Sequence, residues 1–255
     1  MYYNIDSALS YNALFTMIMG GRGIGKTYSA KKRAIKNFLA KGEQFVYLRR
    51  YKTELKKSVP TFFADVAKEF PDHQFKATAK GLYIDEQLAG FCMTLSTQIV
   101  EKSTAYPGVT LIIFEEFLID PSSSYHYLRN EVETFLEAYS TVARDRDVRA
   151  VFLANNVSLY NPYFLYFGLQ LIGEQTVAKA KGGDVILLKV SSEEFANHMA
   201  QTRFGKIIAG TSYGEYAIGN VALRDSNEFL ERKQGTAYYY FGFFFNGEFY
   251  GVWRD

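Results

Sequence analysis

The sequence holds one cysteine, five prolines, one tryptophan and three histidines in 255 residues. A single thiol, Cys92, closes no internal disulfide, so folding must rest on a packed core. That fits a reducing compartment without requiring one. Cys92, between Phe91 and Met93, reads as a small core residue rather than a nucleophile. His73, His126 and His198 lie far apart and offer no metal-site spacing, and no Ser/His/Asp arrangement stands out. The low proline count, beside 20 glycines, excludes collagen-like and proline-rich chains. No apolar run reaches the roughly 18 residues of a transmembrane helix. The opening Met1-Tyr2-Tyr3-Asn4-Ile5-Asp6 lacks the basic and apolar regions of a signal peptide, so none is expected. Charge of one sign is also missing in excess: 29 Lys and Arg against 27 Asp and Glu leave +2. Such a balance neither demands nor excludes nucleic acid.

Hydrophobic residues make up 48% and charged residues 22%, an ordinary globular composition. The length suits one large domain, or one domain with a small second one. Aromatic residues reach 17%, enough for a thick core, and ten of them fall between Tyr238 and Trp253.

Element types alternate over the first 190 residues. Strands are expected at Leu14–Met19, Gln44–Leu48, Val109–Phe114 and Ala150–Ala154, each short, apolar and bounded by turn residues or a helix. Helices are expected at Lys26–Ala40, Thr61–Phe70 and Asn130–Val142. Gln74–Lys76, Leu82–Asp85 and Gly90–Leu95 read as a small antiparallel insertion. Val109–Phe114 is apolar at nearly every position, as a central strand covered on both faces must be. The order predicts an α/β fold with a central, mainly parallel sheet flanked by helices. An ATPase-type domain is expected over 1–192, then a helical, glycine-punctuated linker over 193–227. A small β-rich segment is expected over 228–255, where Asn246-Gly247 signals a hairpin.

Gly20-Gly21-Arg22-Gly23-Ile24-Gly25-Lys26-Thr27 carries the chemistry most openly. Its spacing is that of a P-loop. Glycines let the backbone curl so that its N–H groups point at phosphate oxygens. Lys26 brings a cation to the β- and γ-phosphates, the Thr27 hydroxyl is a Mg²⁺ ligand, and the helix that begins there adds its positive end. Val109–Phe114 then ends in two carboxylates, Glu115 and Glu116. Beside a P-loop, Glu115 is expected to hold Mg²⁺ and Glu116 to polarise the attacking water. Without the P-loop, the pair would read as solvated acids at a strand end. No Asn-Lys-x-Asp base-reading motif is present, which argues against a GTPase.

Arg144-Asp145-Arg146-Asp147-Val148-Arg149 lies between the third helix and the fourth strand. As a charge run alone it reads as a solvated face; in a ring ATPase the same place supplies a finger to the neighbour's nucleotide. Asn155, at the tip of the strand ending Leu153-Ala154, suits a sensor of the γ-phosphate or of the lytic water, and Asn155-Asn156 also suits a turn.

Several segments resemble the DNA-packaging (encapsidation) ATPases of small podophages of the Picovirinae type, ring translocases of the ASCE P-loop class. They include Gly21–Lys26, Gly42–Lys52, Glu69–His73, Glu101–Ser103 with Ala105–Pro107, Thr141–Arg146, Asn161–Phe164, Thr202–Gly205 and Gly251–Trp253. The resemblance runs over nearly the whole chain. It implies ATP and Mg²⁺ as cofactors and a homo-oligomeric ring, usually of five subunits, at the portal of an empty capsid. Double-stranded DNA would be driven through the ring, with a structural RNA as a further partner in some relatives and no membrane. The place of action would be the host cytoplasm, transiently on the procapsid. Arg144 aligns with the family's trans-acting finger; Lys52, Lys102 and Arg146 lie in matched segments as further trans candidates. The family usually has aspartate at the position of Glu115, and a longer C-terminal domain resembling a degenerate nuclease, so a truncated or naturally short form is expected.

A packaging motor must hold phosphates rather than bases. The loop after Glu116, with Ser122, Ser123 and Ser124, is well placed for this and carries no cation; Lys179 and Lys181 beside Gly182-Gly183 form a second candidate loop. Two other readings stand beside the motor: a P-loop nucleotide or small-molecule kinase, and an ATP-dependent assembly module with little turnover.

Overall fold

The computed structural model describes residues 3–79, 81–97, 104–120, 123–172, 174–220, 235–245 and 248–254. The chain divides into two compact units, Met1–Arg224 and Asp225–Asp255.

The first unit is built on a nine-stranded sheet. In chain order its strands are β1 (Phe15–Gly20), β2 (Gln44–Arg49), β3 (Phe75–Thr78), β4 (Gly81–Ile84), β5 (Gln87–Thr94), β6 (Val109–Glu115), β7 (Arg149–Asn155), β8 (Val177–Ala180) and β9 (Val185–Val190). In space they run β3-β4-β5-β2-β6-β7-β1-β9-β8. In that spatial order the six strands from β5 to β9 are parallel; β3, β4 and β8 join through antiparallel pairs at the margins. Helices are α1 (Ile5–Leu9), α2 (Lys26–Lys41), α3 (Lys52–Ser58), α4 (Glu131–Ala143), α5 (Pro162–Phe167), α6 (Glu193–Gln201), α7 (Arg203–Ile208) and α8 (Ser212–Ala217).

Central strands alternate their side chains between two buried clusters, one on each face of the sheet. Met17, Val46, Ile112, Phe114 and Phe152 pack with α4 and α5 through Phe135, Val142 and Tyr163. Ile18, Phe45, Tyr47, Ile113 and Val151 pack with α1 and α2 through Ile5, Ala30 and Ile35. Rings do much of the filling: Phe152 lies 4.6 Å from Phe135 and 5.7 Å from both Phe114 and Tyr163, centroid to centroid. Helix α2 ends at Gly42, whose φ of 69° supplies the left-handed cap that a Cβ would resist.

Two expectations need correction. Thr61–Phe70 is not an α-helix: α3 comes earlier, and Val59–Thr61 and Ala67–Glu69 are single 3₁₀ turns. The helical spacing there reflects burial, since Phe62, Phe63 and Val66 all face the core. The supposed insertion is part of the main sheet, because β5 pairs in parallel with β2. The glycine-punctuated stretch after α6 forms two helices, α7 and α8, capped by the hydroxyls of Thr202 and Thr211. They lie within the first unit.

The second unit contains an antiparallel pair, β10 (Tyr238–Phe245) and β11 (Glu248–Arg254). The Asn246-Gly247 turn expected between them lies outside the described residues.

Candidate nucleotide and catalytic site

Parallel strands deliver their C-terminal ends to one edge, and the chemistry gathers there. Gly20 ends β1 directly beside Asn155 at the end of β7, and Glu115 ends β6 beside Leu153. A Cβ on Gly20 would lie 2.2 Å from the Val190 carbonyl oxygen, so glycine alone lets β1 approach β9 here. Beyond it the loop turns through positive φ at Gly23 (87°) and Gly25 (90°) and enters α2 at Lys26. Such a turn directs successive N–H groups into one concavity, a nest for anions.

A cavity of about 380 Å³ opens at this edge, lined by Arg22, Gly23, Gly25 to Thr27, Glu115, Glu116 and Asn155 among others. Lys26 is buried, and its ammonium donates to the carbonyls of Gly20 (3.0 Å) and Gly21 (2.7 Å). Burial lowers its pKa to about 8. Thr27 Oγ1 donates to Glu115 Oε1 at 2.8 Å. Neighbouring oxygens in an octahedral Mg²⁺ shell stand about 3 Å apart, so this hydroxyl and carboxylate fit as two ligands of such an ion. Among the described residues no cluster of three or more His, Cys, Asp and Glu exists to form an all-protein cage.

The residues that hold the two glutamates carry no signal in the sequence. Tyr47 and Arg49, both on β2, reach across to β6. Tyr47 donates its phenol to Glu115, and the Arg49 guanidinium donates to Glu115 Oε2 at 3.1 Å and to Glu116 Oε2 at 2.5 Å. Burial and the adjacent Glu115 carboxylate push the Tyr47 phenol well up, so it remains a donor. Burial opposes the charge on Arg49, but the carboxylates of Glu116, Glu115 and Glu54 with Tyr47 outweigh it and keep the guanidinium protonated. Glu54, on α3, takes the remaining contact with Arg49 at 3.4 Å.

Glu116 itself has φ of 56°, a left-handed conformation unusual for glutamate, and its N–H donates to the Leu153 carbonyl at 2.7 Å. Arg50 holds the turn from behind. It is 1% exposed and donates to the carbonyls of Glu116 (3.0 Å) and Phe117 (2.6 Å). It also makes two bonds to Glu131, at 2.7 and 2.8 Å. Glu131 accepts further from the Tyr163 phenol and the Leu128 N–H, so the buried pair is well satisfied.

The other sequence candidates scatter. Arg144 is exposed at the end of α4, just before β7 begins. It lies at the far end of the sheet from the cavity, about 20 Å away along a seven-residue strand. Arg146 braces its own surroundings, where the guanidinium donates to the carbonyls of Tyr106, Pro107, Val109 and Val142. Lys52 is exposed at the start of α3. Ser123 accepts from the Tyr125 N–H at 3.1 Å, and Ser124 is exposed. Lys179 lies on β8 with its ammonium 5.2 Å from the Tyr11 ring centre, and Lys181 starts the β8–β9 turn. That turn is at the opposite end of β9 from Val190 and the P-loop. Lys102 and Ser122 lie outside the described residues.

Known proteins are similar to this chain in sequence and fold. The chain is 41% identical to a DNA packaging protein of Bacillus phage phi29 over 256 aligned residues, covering 100% of this chain and 76% of the relative. A structure of the N-terminal domain of the DNA packaging ATPase from bacteriophage phi29 matches with TM-score 0.69 and 41% identity, over 76% of this chain and 98% of that one. A structure of the bacteriophage Phi-29 viral genome packaging motor assembly matches with TM-score 0.73 and 40% identity, over 100% of this chain and 77% of that one. The family model described as Podovirus DNA encapsidation protein (Gp16) matches residues 1–255, and the chain belongs to that family.

Proposed function

We propose that the protein is the ATP-hydrolysing subunit of a viral DNA-packaging motor, working as a homo-oligomeric ring on double-stranded DNA at the capsid portal. One observation carries the reading. Lys26, Thr27, Glu115, Glu116 and Asn155, from two parallel strand ends and the P-loop, line a single cavity. Strand β7 between β1 and β6 supports the ASCE class, in which an added strand separates the P-loop strand from the acidic one. The family match supports packaging over both the kinase and the low-turnover assembly module.

Each residue then has a role. The P-loop N–H groups and Lys26 bind the β- and γ-phosphates. Thr27 and Glu115 would hold Mg²⁺, which would offset phosphate charge when bound. Tyr47 and Arg49 fix Glu115, so the glutamate, one methylene longer than the family's usual aspartate, keeps a defined reach. Glu116 accepts a hydrogen bond from water and takes its proton as the water attacks the γ-phosphorus, while the bond from phosphorus to the bridging oxygen breaks and ADP leaves with that oxygen. Before doing so, it must exchange the Arg49 guanidinium for that water. Asn155, beside Gly20, is within the cavity to bond the γ-phosphate or the water. Arg144, about 20 Å from its own cavity, acts on a neighbouring subunit if it acts on nucleotide at all. Ring number, usually five in relatives, and attachment to a portal or to a structural RNA belong to the same proposal.

The test is the fate of the γ-phosphate in H₂¹⁸O with double-stranded DNA present. A motor releases inorganic phosphate carrying one ¹⁸O from water. Transfer to an added nucleotide or small molecule would instead select the kinase.

A further inference from the structure

The P-loop strand β1 has two neighbours whose ends flank Gly20: Asn155 of β7 on one side and Val190 of β9 on the other. The β7 side leads to Glu115 and Glu116, where a γ-phosphate must react. A nucleotide held by the P-loop therefore extends toward β9 with the part of it that does not react. A separate cavity of about 230 Å³ lies on that side, between the loop and helices α6 and α8. Gly21, Ile24, Ser192, Phe195, Ile218 and Asn220 are among its lining residues. Cavities for drug-sized ligands run to about 300–1,000 Å³, so this one suits a single flat ring system rather than a whole nucleotide.

The walls are of two kinds. Ile24, Phe195 and Ile218 are apolar, and the Phe195 ring lies against the P-loop itself. A Cβ on Gly23, where φ is already 87°, would come within 2.7 Å of Phe195 Cζ. An aromatic ring in that place is a stacking surface for a base. Asn220 supplies the polar part, and its orientation is fixed twice. Its Nδ2 donates to the Val190 carbonyl at 3.0 Å, and its own carbonyl accepts from Nδ2 of the buried Asn156 at 2.5 Å. With Nδ2 engaged, Oδ1 remains as an acceptor, buried and without a hydrogen-bond partner among the described residues. Such an acceptor costs stability until a ligand or a water supplies a donor.

We infer that this cavity takes the adenine base of the bound nucleotide, stacked on Phe195, with the 6-amino group donating to Asn220 Oδ1. A 6-oxo purine presents an acceptor at the same edge and is opposed there. The inference rests on the nucleotide-binding part of the proposed function and is testable without ATP turnover.

The experiment measures Kd by calorimetry on the full chain with Mg²⁺. The ligands are the β,γ-imido analogue of ATP, the same analogue of purine riboside triphosphate, which lacks only the 6-amino group, and inorganic triphosphate. Wild type should bind the ATP analogue at least about tenfold more tightly than inorganic triphosphate, and about fivefold more tightly than the analogue without the amino group. Phe195→Ala should weaken the ATP analogue by about 10- to 100-fold and leave inorganic triphosphate unchanged. Phe195→Tyr should keep wild-type affinity, which separates lost stacking from a disturbed α6. Asn220→Gly accepts the left-handed backbone (φ of 57°) and keeps the carbonyl that Asn156 uses. It should erase the preference for the 6-amino group. Equal loss of the ATP analogue and inorganic triphosphate in Phe195→Ala overturns the subsite, by showing that the ring only supports the P-loop. A preference for the 6-amino group that survives in Asn220→Gly overturns the hydrogen bond. If wild type binds inorganic triphosphate as tightly as the ATP analogue, the base subsite fails while the P-loop reading stands. Binding of neither overturns the nucleotide reading and the subsite together.

Discussion

Arg49, at the end of β2, and Glu116, in the turn just after β6, form an ion pair of 2.5 Å between residues 67 apart in sequence. The arginine is almost wholly buried, whereas the glutamate side chain is 58% exposed. One partner is thus enclosed by the protein and the other open to the cavity.

Glu116→Gln keeps the size and a hydrogen-bond acceptor for Arg49 but takes no proton. Turnover should fall by about 10²–10⁴, while the Kd for a non-hydrolysable ATP analogue stays within a few-fold of wild type. Equal loss of binding and turnover would show that Glu116 acts on the fold of the site rather than on water.

Lys26 sets a pH dependence. Its pKa in the free protein is about 8, depressed by burial. A bound polyphosphate favours the ammonium and raises that value, so the complex holds more protons than the free protein above pH 8. Affinity should be flat below about pH 8 and decline as pH rises beyond it, by at most about tenfold per unit. Competition binding of a fluorescent ATP analogue from about pH 7 to 10 measures this. Affinity independent of pH across that range would contradict it.

The pair of Arg50 and Glu131 is a stability element. Arg50→Ala leaves a buried carboxylate without its partner and should cost about 3–5 kcal/mol, seen as a lower urea midpoint. Replacing both, Arg50→Met with Glu131→Leu, should recover much of that loss. The double variant would still lack the donors that hold the Glu116 and Phe117 carbonyls.

Parts of this site were legible in the sequence because they are local. Gly20 to Thr27 announces its conformation by glycine spacing, and Glu115-Glu116 is conspicuous at the end of an apolar strand. Tyr47, Arg49, Arg50, Glu54 and Glu131 were not, because their roles depend on β2 lying beside β6 and on α4 lying over both. Two arginines after a strand look like a solvated charge run until the sheet order is known. The sequence pattern assigns no strand to β8 or β9 although Val185–Leu188 is apolar, and the spacing of Phe62, Phe63 and Val66 reads as helical because a buried irregular segment also turns apolar residues inward.

Arg144 lies at the opposite end of the sheet from its own cavity, so any contact it makes with nucleotide is with a neighbour's. Arg144→Ala subunits keep Glu116, and Glu116→Gln subunits keep Arg144. Mixtures should therefore recover hydrolysis that neither variant shows alone, with a maximum at intermediate ratios. Strict additivity at every ratio would rule out a trans role.

A ring motor with a shared active site is tested most sharply by phosphate release against protein concentration, with and without double-stranded DNA, for wild type and Glu116→Gln. Specific activity should rise with protein concentration, increase further with duplex and be lost in the variant. Activity strictly proportional to protein, indifferent to DNA and retained in Glu116→Gln would contradict the motor.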